Sequence, residues 1–72
     1  MKKVFKMEDI DCANCAAKME DKINQIDGVQ KATISFMTQR LTLEFDETRM
    51  KEILDEAQRV CKTVEPDCKI LY

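Results

Sequence analysis

Hydrophobic and polar residues alternate in three stretches of the chain, which is the spacing of β-strands with one buried face. These stretches are residues 3–8, 32–36 and 41–45. The last two are separated by the short segment Met37-Thr38-Gln39, so they are predicted to form a hairpin. A fourth, short strand is expected from Cys68 to Tyr72, after Pro66.

Two other stretches place hydrophobic residues three or four positions apart, the spacing of an amphipathic helix. The first helix is predicted from about Ala13 to Ile26, and Gly28 behind it is expected to end it as a left-handed cap. The stripe of the second helix consists of Met50, Ile53, Leu54, Ala57, Val60 and Cys61. Asp46 or Thr48 can cap the start of this helix.

The predicted order is strand–helix–strand followed by a second strand–helix–strand. Two helices with one hydrophobic stripe each are accommodated when both pack on the same face of a four-stranded antiparallel sheet. With right-handed crossovers this is the α+β, ferredoxin-like βαββαβ sandwich. Several loops then meet at one end of the sheet, and five residues are expected to share that rim: Cys12, Cys15, Met37, Pro66 and Cys68.

Length and charge narrow the classes of function. The 72 residues are predicted to form a single domain, residues 1–72. The formal net charge is -2, from 12 basic and 14 acidic residues, and no Lys/Arg cluster is present. This charge pattern argues against a nucleic-acid partner. No apolar run approaches the ~20 residues that span a bilayer. We therefore expect a monomeric, cytoplasmic protein without a membrane span in this chain.

The chain contains four cysteines and no histidine, so any metal or redox site is expected to use cysteine sulfur. In a reducing compartment, cysteines serve as thiols, metal ligands or redox groups rather than as a disulfide framework. Cys12 and Cys15 lie three positions apart between the first strand and the first helix, so both sulfurs can face one ion. Free N–H groups and the positive dipole end of a helix favour thiolates at such a position. Thiolates prefer copper(I), zinc and its heavier relatives to magnesium or calcium.

Asp11, directly before the first of these cysteines, bears on the identity of the ion. Its carboxylate can reach an ion that the two sulfurs hold. Copper(I) with two thiolates is already negatively charged, whereas a divalent ion with two thiolates is neutral and gains from a carboxylate. Asp11, Cys12 and Cys15 are therefore the predicted ligands of Zn²⁺, Cd²⁺ or Pb²⁺, with one coordination position left open for exchange. The alternative for Asp11 is a solvated loop residue or a helix cap.

Other interpretations of the cysteines remain open at this point. The Cys12–Cys15 pair is also the spacing of a thioredoxin-like redox site, but the order of helices and strands does not fit that larger fold. A structural zinc site usually has four protein ligands, and Cys61 and Cys68 are not spaced as a second pair. Cys61 belongs to the hydrophobic stripe of the second helix and is predicted to pack in the core. Cys68 either lends a fourth sulfur or fills space.

Two segments resemble the heavy-metal-associated domain: Asp-Cys-Ala-Asn-Cys-Ala-Ala at residues 11–17 and the Gly-Val that follows the first helix. The resemblance covers essentially the whole chain and includes the βαββαβ order. It is strongest to the N-terminal cytosolic domain of zinc-, cadmium- and lead-exporting P-type ATPases. Asp9-Ile10-Asp11 departs from the Gly-Met-Thr or Gly-Met-Ser of copper chaperones. Glu65-Pro66-Asp67 likewise departs from the Lys or aromatic-Gly signature that those chaperones tend to carry.

This resemblance implies a metal-transfer module rather than an enzyme. Asp11, Cys12 and Cys15 would hold Zn²⁺, Cd²⁺ or Pb²⁺, with Cys68 as a further candidate ligand. The expected partner is a metal-transporting ATPase or its transmembrane entry site. The chain would be either a domain of such a pump, tethered to the membrane, or a free-standing carrier. The alternative is a copper(I) metallochaperone-like domain with Asp11 as a bystander.

Overall fold

The structure is a computed structural model that describes residues 1–10 and 12–72. Its helices and strands follow the predicted order. They are β1 (Lys2–Glu8), α1 (Ala13–Asn24), β2 (Val29–Ser35), β3 (Arg40–Phe45), a short 3₁₀ helix (Glu47–Arg49), α2 (Met50–Val64) and β4 (Lys69–Leu71). No helix in this described part of the chain is both long and apolar enough to cross a membrane.

The four strands form one antiparallel sheet in the order β2-β3-β1-β4. One face of the sheet is buried because hydrophobic residues alternate along each strand. In β1, for example, Phe5 and Met7 are buried, while Val4 on the opposite face of the strand is exposed. Both helices turn hydrophobic side chains into the same core. These are Ala16, Met19 and Ile23 of α1, and Ile53, Leu54, Ala57 and Cys61 of α2. The ferredoxin-like βαββαβ prediction is confirmed.

Each helix also holds the edge strand beside it through an amide side chain. Asn24 of α1 accepts a hydrogen bond from the Ala32 N–H (2.8 Å) and donates one to the Ala32 carbonyl (3.0 Å). In α2, Gln58 accepts a hydrogen bond from the Ile70 N–H (2.7 Å) and donates one to the Cys68 carbonyl (3.0 Å). The two halves of the molecule thus use the same device on opposite edges of the sheet.

The first helix ends earlier than predicted, at Asn24, with Gln25 as its C-cap. The N–H groups of Gln25 and Ile26 bond to carbonyls three residues back, so the chain tightens and leaves the α-helix before Ile26. Ile26 still packs against the core, and for this reason a hydrophobic residue occurs there at the spacing of the α1 stripe. Gly28 has φ +97° but lies in the turn before β2, so the prediction that it caps α1 is wrong. A Cβ at Gly28 would lie 3.1 Å from the side chain of Ile53, so glycine is suited to this position on both counts.

The second helix is preceded by a separate 3₁₀ turn. Asp46 caps that turn, since its carboxylate accepts a hydrogen bond from the Thr48 N–H at 3.1 Å. The α-helix proper begins at Met50 and continues to Val64, one turn beyond the last residue of the predicted stripe. The cap predicted at Asp46 is therefore present, but it acts one turn before α2.

Two strand ends next to loops fall one residue short of their predicted positions, although β2 also begins earlier than predicted, at Val29. β2 ends at Ser35, and Phe36 is already part of the turn that leads to β3. β4 covers only Lys69–Leu71, because Cys68 bonds through its N–H to the carbonyl of Glu65 rather than to a neighbouring strand. Both shortened ends lie next to the loops that carry the candidate site.

Candidate metal site

Cys12 lies where the chain passes from β1 into α1. It is the N-cap residue of α1, with extended backbone angles (φ -143°, ψ 130°). Asp9, one residue after β1, has φ +62° and turns the chain away from the sheet. The side chain of Ile10 is buried and anchors the loop in the core. The thiol of Cys12 is thus held at the edge of the protein by a loop that is fixed on its inner side.

Gln39, in the turn between β2 and β3, holds the same loop from a second direction. Its side chain accepts a hydrogen bond from the Ile10 N–H (3.0 Å) and donates one to the Ile10 carbonyl (2.7 Å). Its own carbonyl accepts a hydrogen bond from the Met7 N–H at 2.8 Å. Gln39 has φ +56°, and in this left-handed conformation both its carbonyl and its side chain contact the segment from Met7 to Ile10. Sequence analysis assigned Gln39 only to a turn and missed this role.

The N-terminus of α1 favours a thiolate at Cys12. The backbone N–H of Cys15 lowers the pKa of the Cys12 thiol below its ordinary value, as do the thiol of Cys15 and the N–H of Asn14. These are the free N–H groups of the first helical turn, where the helix dipole also favours negative charge. The expectation that this position favours a thiolate is consistent with that direction.

Cys15 behaves as the protonated partner of this pair. Its hydrogen bond to Cys12 raises the pKa of the Cys15 thiol, and burial and the charges of Cys12 and Glu65 raise it further. The Cys15 thiol also lies 3.6 Å from Oε1 of Glu65 and donates to that oxygen. Cys15 thus lies between the thiol of Cys12 and the side chain of Glu65.

Glu65 reaches the site from the loop between α2 and β4. It is the C-cap residue of α2, and its N–H bonds to the Cys61 carbonyl at 2.9 Å. Its own carbonyl accepts a hydrogen bond from the Cys68 N–H at 3.0 Å. Sequence analysis noted Glu65 only as a departure from the copper-chaperone pattern. Its contact with Cys15 depends on two loops that are 50 residues apart, and no local pattern signals that.

The loops that were expected to share one rim do meet. The contact between Cys15 and Glu65 joins the start of α1 to the α2–β4 loop, and the Gln39 hydrogen bonds join it to the β2–β3 turn. Met37 is exposed in that turn, and Pro66 is exposed after Glu65. These contacts confirm that the three loops lie at the same end of the sheet.

The other two cysteines form a separate pair in the core. Cys61 and Cys68 are both fully buried, and each thiol influences the pKa of the other. Burial raises the pKa of Cys61 to about 12 and also raises the pKa of Cys68. The prediction that Cys61 packs in the core is confirmed. For Cys68, named above as a further candidate ligand, the structure shows a side chain that faces Cys61.

Asp11, the third predicted ligand, lies outside the described residues. Within residues 1–10 and 12–72, no three His, Cys, Asp or Glu side chains are gathered into a closed cluster that could hold a metal. What the described part offers is a pair of soft sulfur donors at a helix N-terminus, one of them favoured as a thiolate. This chemistry fits a thiophilic ion such as copper(I), zinc or cadmium.

Similarity to known proteins agrees with this chemistry. Residues 4–65 match the family model of the heavy-metal-associated domain. A cadmium, zinc and cobalt-transporting ATPase of Bacillus subtilis (strain 168) is 24% identical over 66 residues, which are 92% of this chain and 9% of that protein. The copper chaperone CopZ of Enterococcus hirae is 25% identical over 64 residues, which are 89% of this chain and 86% of the chaperone. The chain thus spans less than a tenth of the ATPase and most of the chaperone.

The fold is shared with solved structures as well. The structure of a CopZ metallochaperone superposes with a TM-score of 0.74 at 16% identity, and the match covers 99% of this chain and 100% of that one. Relatives named for cadmium, zinc and cobalt and relatives named for copper are thus both similar to this chain in sequence. Because the family match extends over most of its length, the chain belongs to the heavy-metal-associated domain family and is a heavy-metal-binding domain.

Proposed function

We propose that this domain binds a soft divalent ion, Zn²⁺, Cd²⁺ or Pb²⁺, through Asp11, Cys12 and Cys15, and passes it to a metal-transporting ATPase. The observation that carries the proposal is the thiol pair at the start of α1, where backbone N–H groups lower the pKa of Cys12. A lowered pKa reduces the free energy needed to deprotonate Cys12 when the ion binds.

The charge around the pair supports a divalent ion. Glu65 contributes a carboxylate next to Cys15, and Asp11 precedes Cys12 in sequence. Two thiolates neutralise a divalent ion, and nearby carboxylates then add a favourable interaction. With copper(I), the same groups would leave several negative charges around a single positive one. The second candidate is nevertheless copper(I), since a copper chaperone of similar length is 25% identical to this chain.

Transfer proceeds in this proposal by stepwise exchange of ligands. The ion is held by few protein ligands at an exposed rim, so a coordination position stays open. A thiolate or carboxylate of the partner binds there first, and Cys12 or Cys15 then releases the ion. Binding of the ion displaces the proton of Cys15, which passes to water. The domain holds and hands on its cargo and catalyses no reaction of its own.

The partner and location follow from the same reasoning. We place the domain in the cytoplasm, where its cysteines stay reduced. It acts there as a monomer, either as the metal-binding domain of a P-type ATPase or as a carrier that visits one. The receiving site is the cytosolic entrance to the membrane part of such a pump.

Competitive metal titration of the fully reduced protein tests the proposal. Zn²⁺ and Cd²⁺ are each competed against a chelator, Cu⁺ is competed against a copper(I) chelator, and wild type is compared with Asp11→Asn. Loss of the carboxylate is expected to weaken divalent binding by about tenfold or more, since even outer-sphere partners contribute that much. Asp21→Asn, an exposed charge change on α1, is the matched control. Equal divalent affinities for wild type and Asp11→Asn would exclude Asp11 as a ligand.

A further inference from the structure

We propose that the open face of the sheet docks on a membrane surface that contains anionic lipids. The open face is the side of the sheet that neither helix covers, because both helices pack into the core on the opposite side. Its residues are the exposed or half-buried positions that alternate with core residues along the strands. The cysteine pair lies at the end of the sheet rather than on this face, so the inference does not depend on the bound metal.

Charge is distributed unevenly between the open face and the rest of the molecule. The open face has five basic and two acidic residues, so its formal charge is +3, although the whole chain has a formal charge of -2. The remaining seven basic and twelve acidic residues give the rest of the molecule a charge of -5. The residues of the open face are Lys2, Lys6, Lys31, Arg40 and Lys69, with Glu8 and Glu44. The basic residues are scattered in the sequence, and the fold gathers them on one side.

Two cations occupy directly opposite positions on this face. Lys6 of β1 is the cross-strand partner of Arg40 of β3. Lys69 of β4 is diagonal to Lys6, since it pairs with Glu8 two positions further along β1. Like charges directly opposite each other destabilise a sheet. Within residues 1–10 and 12–72, none of these three cations forms an ion pair. An external anionic surface would therefore relieve a repulsion that the chain leaves uncompensated.

Hydrophobic side chains lie among these cations. Val4 is 57% exposed, and Leu71, the cross-strand partner of Lys6, is 44% exposed. Thr42 and Thr33 continue the row of Val4 across β3 and β2. Long basic side chains extend beyond their hydrophobic stems and keep their charged ends in a polar environment. A surface of this kind can place its cations among lipid phosphates while its apolar side chains approach the acyl boundary.

The arrangement of the face favours lipid over other anionic partners. Its cations lie on all four strands rather than along one groove, so they match a surface whose negative charge is spread in two dimensions. No aromatic residue lies among the outward positions of the described strands, so bases of a single-stranded nucleic acid would find no side chain on which to stack. The acidic remainder of the domain is repelled by the same lipids, and this gives the docked domain one preferred orientation.

Vesicle binding by the reduced, metal-free protein tests this inference. Wild type is expected to sediment with vesicles of phosphatidylglycerol and phosphatidylcholine at low salt, and not with phosphatidylcholine alone. Binding should weaken with salt, since the Debye length falls from about 30 Å at 0.01 M to about 8 Å at 0.15 M. Equal binding to both kinds of vesicle, or no binding to either, would overturn the proposal.

Charge-neutral variants assign the binding to the open face. Lys6→Gln/Arg40→Gln is expected to bind the anionic vesicles about twenty-five-fold more weakly, since each cation near the membrane contributes about fivefold. Lys18→Gln/Lys22→Gln on α1 is the matched control, because it removes two exposed charges from the other side of the molecule. Its affinity is expected to stay within about threefold of wild type. Equal losses in the two variants would show that net charge alone matters and would overturn the assignment.

A single tryptophan reports which side of the domain meets the lipid, because the chain contains none. The emission of Val4→Trp is expected to shift to shorter wavelength when anionic vesicles are added, as the indole enters a less polar environment. Thr63→Trp, at an exposed position of α2, is expected to show no shift. A shift in Thr63→Trp without one in Val4→Trp would place the membrane on the helical side and contradict the proposal.

Stability and competition measurements exclude the two remaining explanations. Lys6→Gln removes one of two opposed cations, so its urea midpoint is expected to equal or exceed that of wild type while vesicle binding weakens about fivefold. A lower midpoint would contradict the repulsion on which the argument depends. Polyglutamate and duplex DNA are expected to compete poorly with the anionic vesicles. Competition by either one at an equal concentration of negative charge would identify a general polyanion surface and overturn the choice of lipid.

Discussion

The two cysteine pairs of this domain have the same composition and opposite chemistry. Cys12 and Cys15 lie at an exposed rim, at the start of α1, where N–H groups lower the pKa of Cys12. Cys61 and Cys68 lie in the core, where burial raises the pKa of Cys61 to about 12. In each pair the two thiols influence each other's pKa. The difference therefore comes from the surroundings and not from the pairing.

A helix N-terminus on one side and burial on the other explain the contrast. Cys12 caps an N-terminus, where unpaired N–H groups face the sulfur. Cys61 lies on the buried face of α2, where removal of the thiol from water disfavours a thiolate and the neighbouring Cys68 disfavours it further. A cysteine count alone would treat these pairs alike. The helix N-terminus beside one pair and the burial of the other separate a candidate metal site from part of the core.

The largest expected effect is on metal binding. Replacing both Cys12 and Cys15 by serine removes the two soft donors, so Cd²⁺ affinity is expected to fall at least about a thousandfold. Cys61→Ala is the control and is expected to bind Cd²⁺ within about threefold of wild type. Equilibrium dialysis of reduced protein measures both. A large loss of affinity in Cys61→Ala with its fold intact would remove the functional distinction between the pairs.

Alkylation of the free thiols is expected to differ by about a hundredfold or more. Cys12 is partly exposed and its pKa is lowered, whereas Cys61 is fully buried with a raised pKa, and only thiolates react with iodoacetamide at a useful rate. Mass spectrometry of peptides after timed alkylation of the native protein at pH 7 gives both rates. In urea the two rates should converge, which serves as the control. Comparable rates in the folded protein would contradict the contrast.

Substitution of one cysteine by serine is expected to destabilise the protein in the core pair but not in the rim pair. Cys61→Ser places a hydroxyl in the core, so the free energy of unfolding is expected to fall by about 2 kcal/mol. Cys12→Ser places a favoured N-cap residue at the start of α1, so stability should stay within about 0.5 kcal/mol or rise. Urea denaturation of the metal-free variants measures both values. A destabilisation of the same size in Cys12→Ser would indicate that the rim pair also supports the core.

The smallest expected effect is a dependence on alkaline pH. Because the pKa of Cys61 is about 12 in the folded state and about 9 when unfolded, its contribution to stability is complete below pH 9 and is lost as the pH rises toward 12. This residue alone should cost about 1 kcal/mol between pH 9 and pH 10. Urea denaturation of wild type and Cys61→Ala at both pH values isolates this part of the slope. Identical slopes would show that Cys61 does not titrate as described.

The elements of the fold could be predicted because their hydrophobic spacing is local. The ends of those elements depended on contacts with distant residues. Asn24 ends α1 while its side chain bonds to the backbone of Ala32 in β2, so the helix stops before its hydrophobic stripe does. Ile26 continues the stripe without continuing the helix, and that is the kind of residue on which a periodic pattern misleads.

The site was predicted in part for a similar reason. The Cys12–Cys15 spacing and its place before a helix are visible in seven consecutive residues. Gln39 and Glu65 reach the same loop from other parts of the chain, 29 residues from Ile10 and 50 residues from Cys15. Neither lies in a pattern that signals contact with this loop. Only the folded arrangement brings them to the rim.

The amide side chains on the sheet edges have a consequence for how the domain meets other molecules. Asn24 and Gln58 occupy backbone groups of β2 and β4 that would otherwise be free to pair with a strand of another chain. Exposed strand edges invite such pairing and lead to aggregation. Because these side chains occupy some of the edge N–H and carbonyl groups, strands of two copies are less able to pair into one continuous sheet. Encounters with other proteins are thereby left to the loops and outer surfaces.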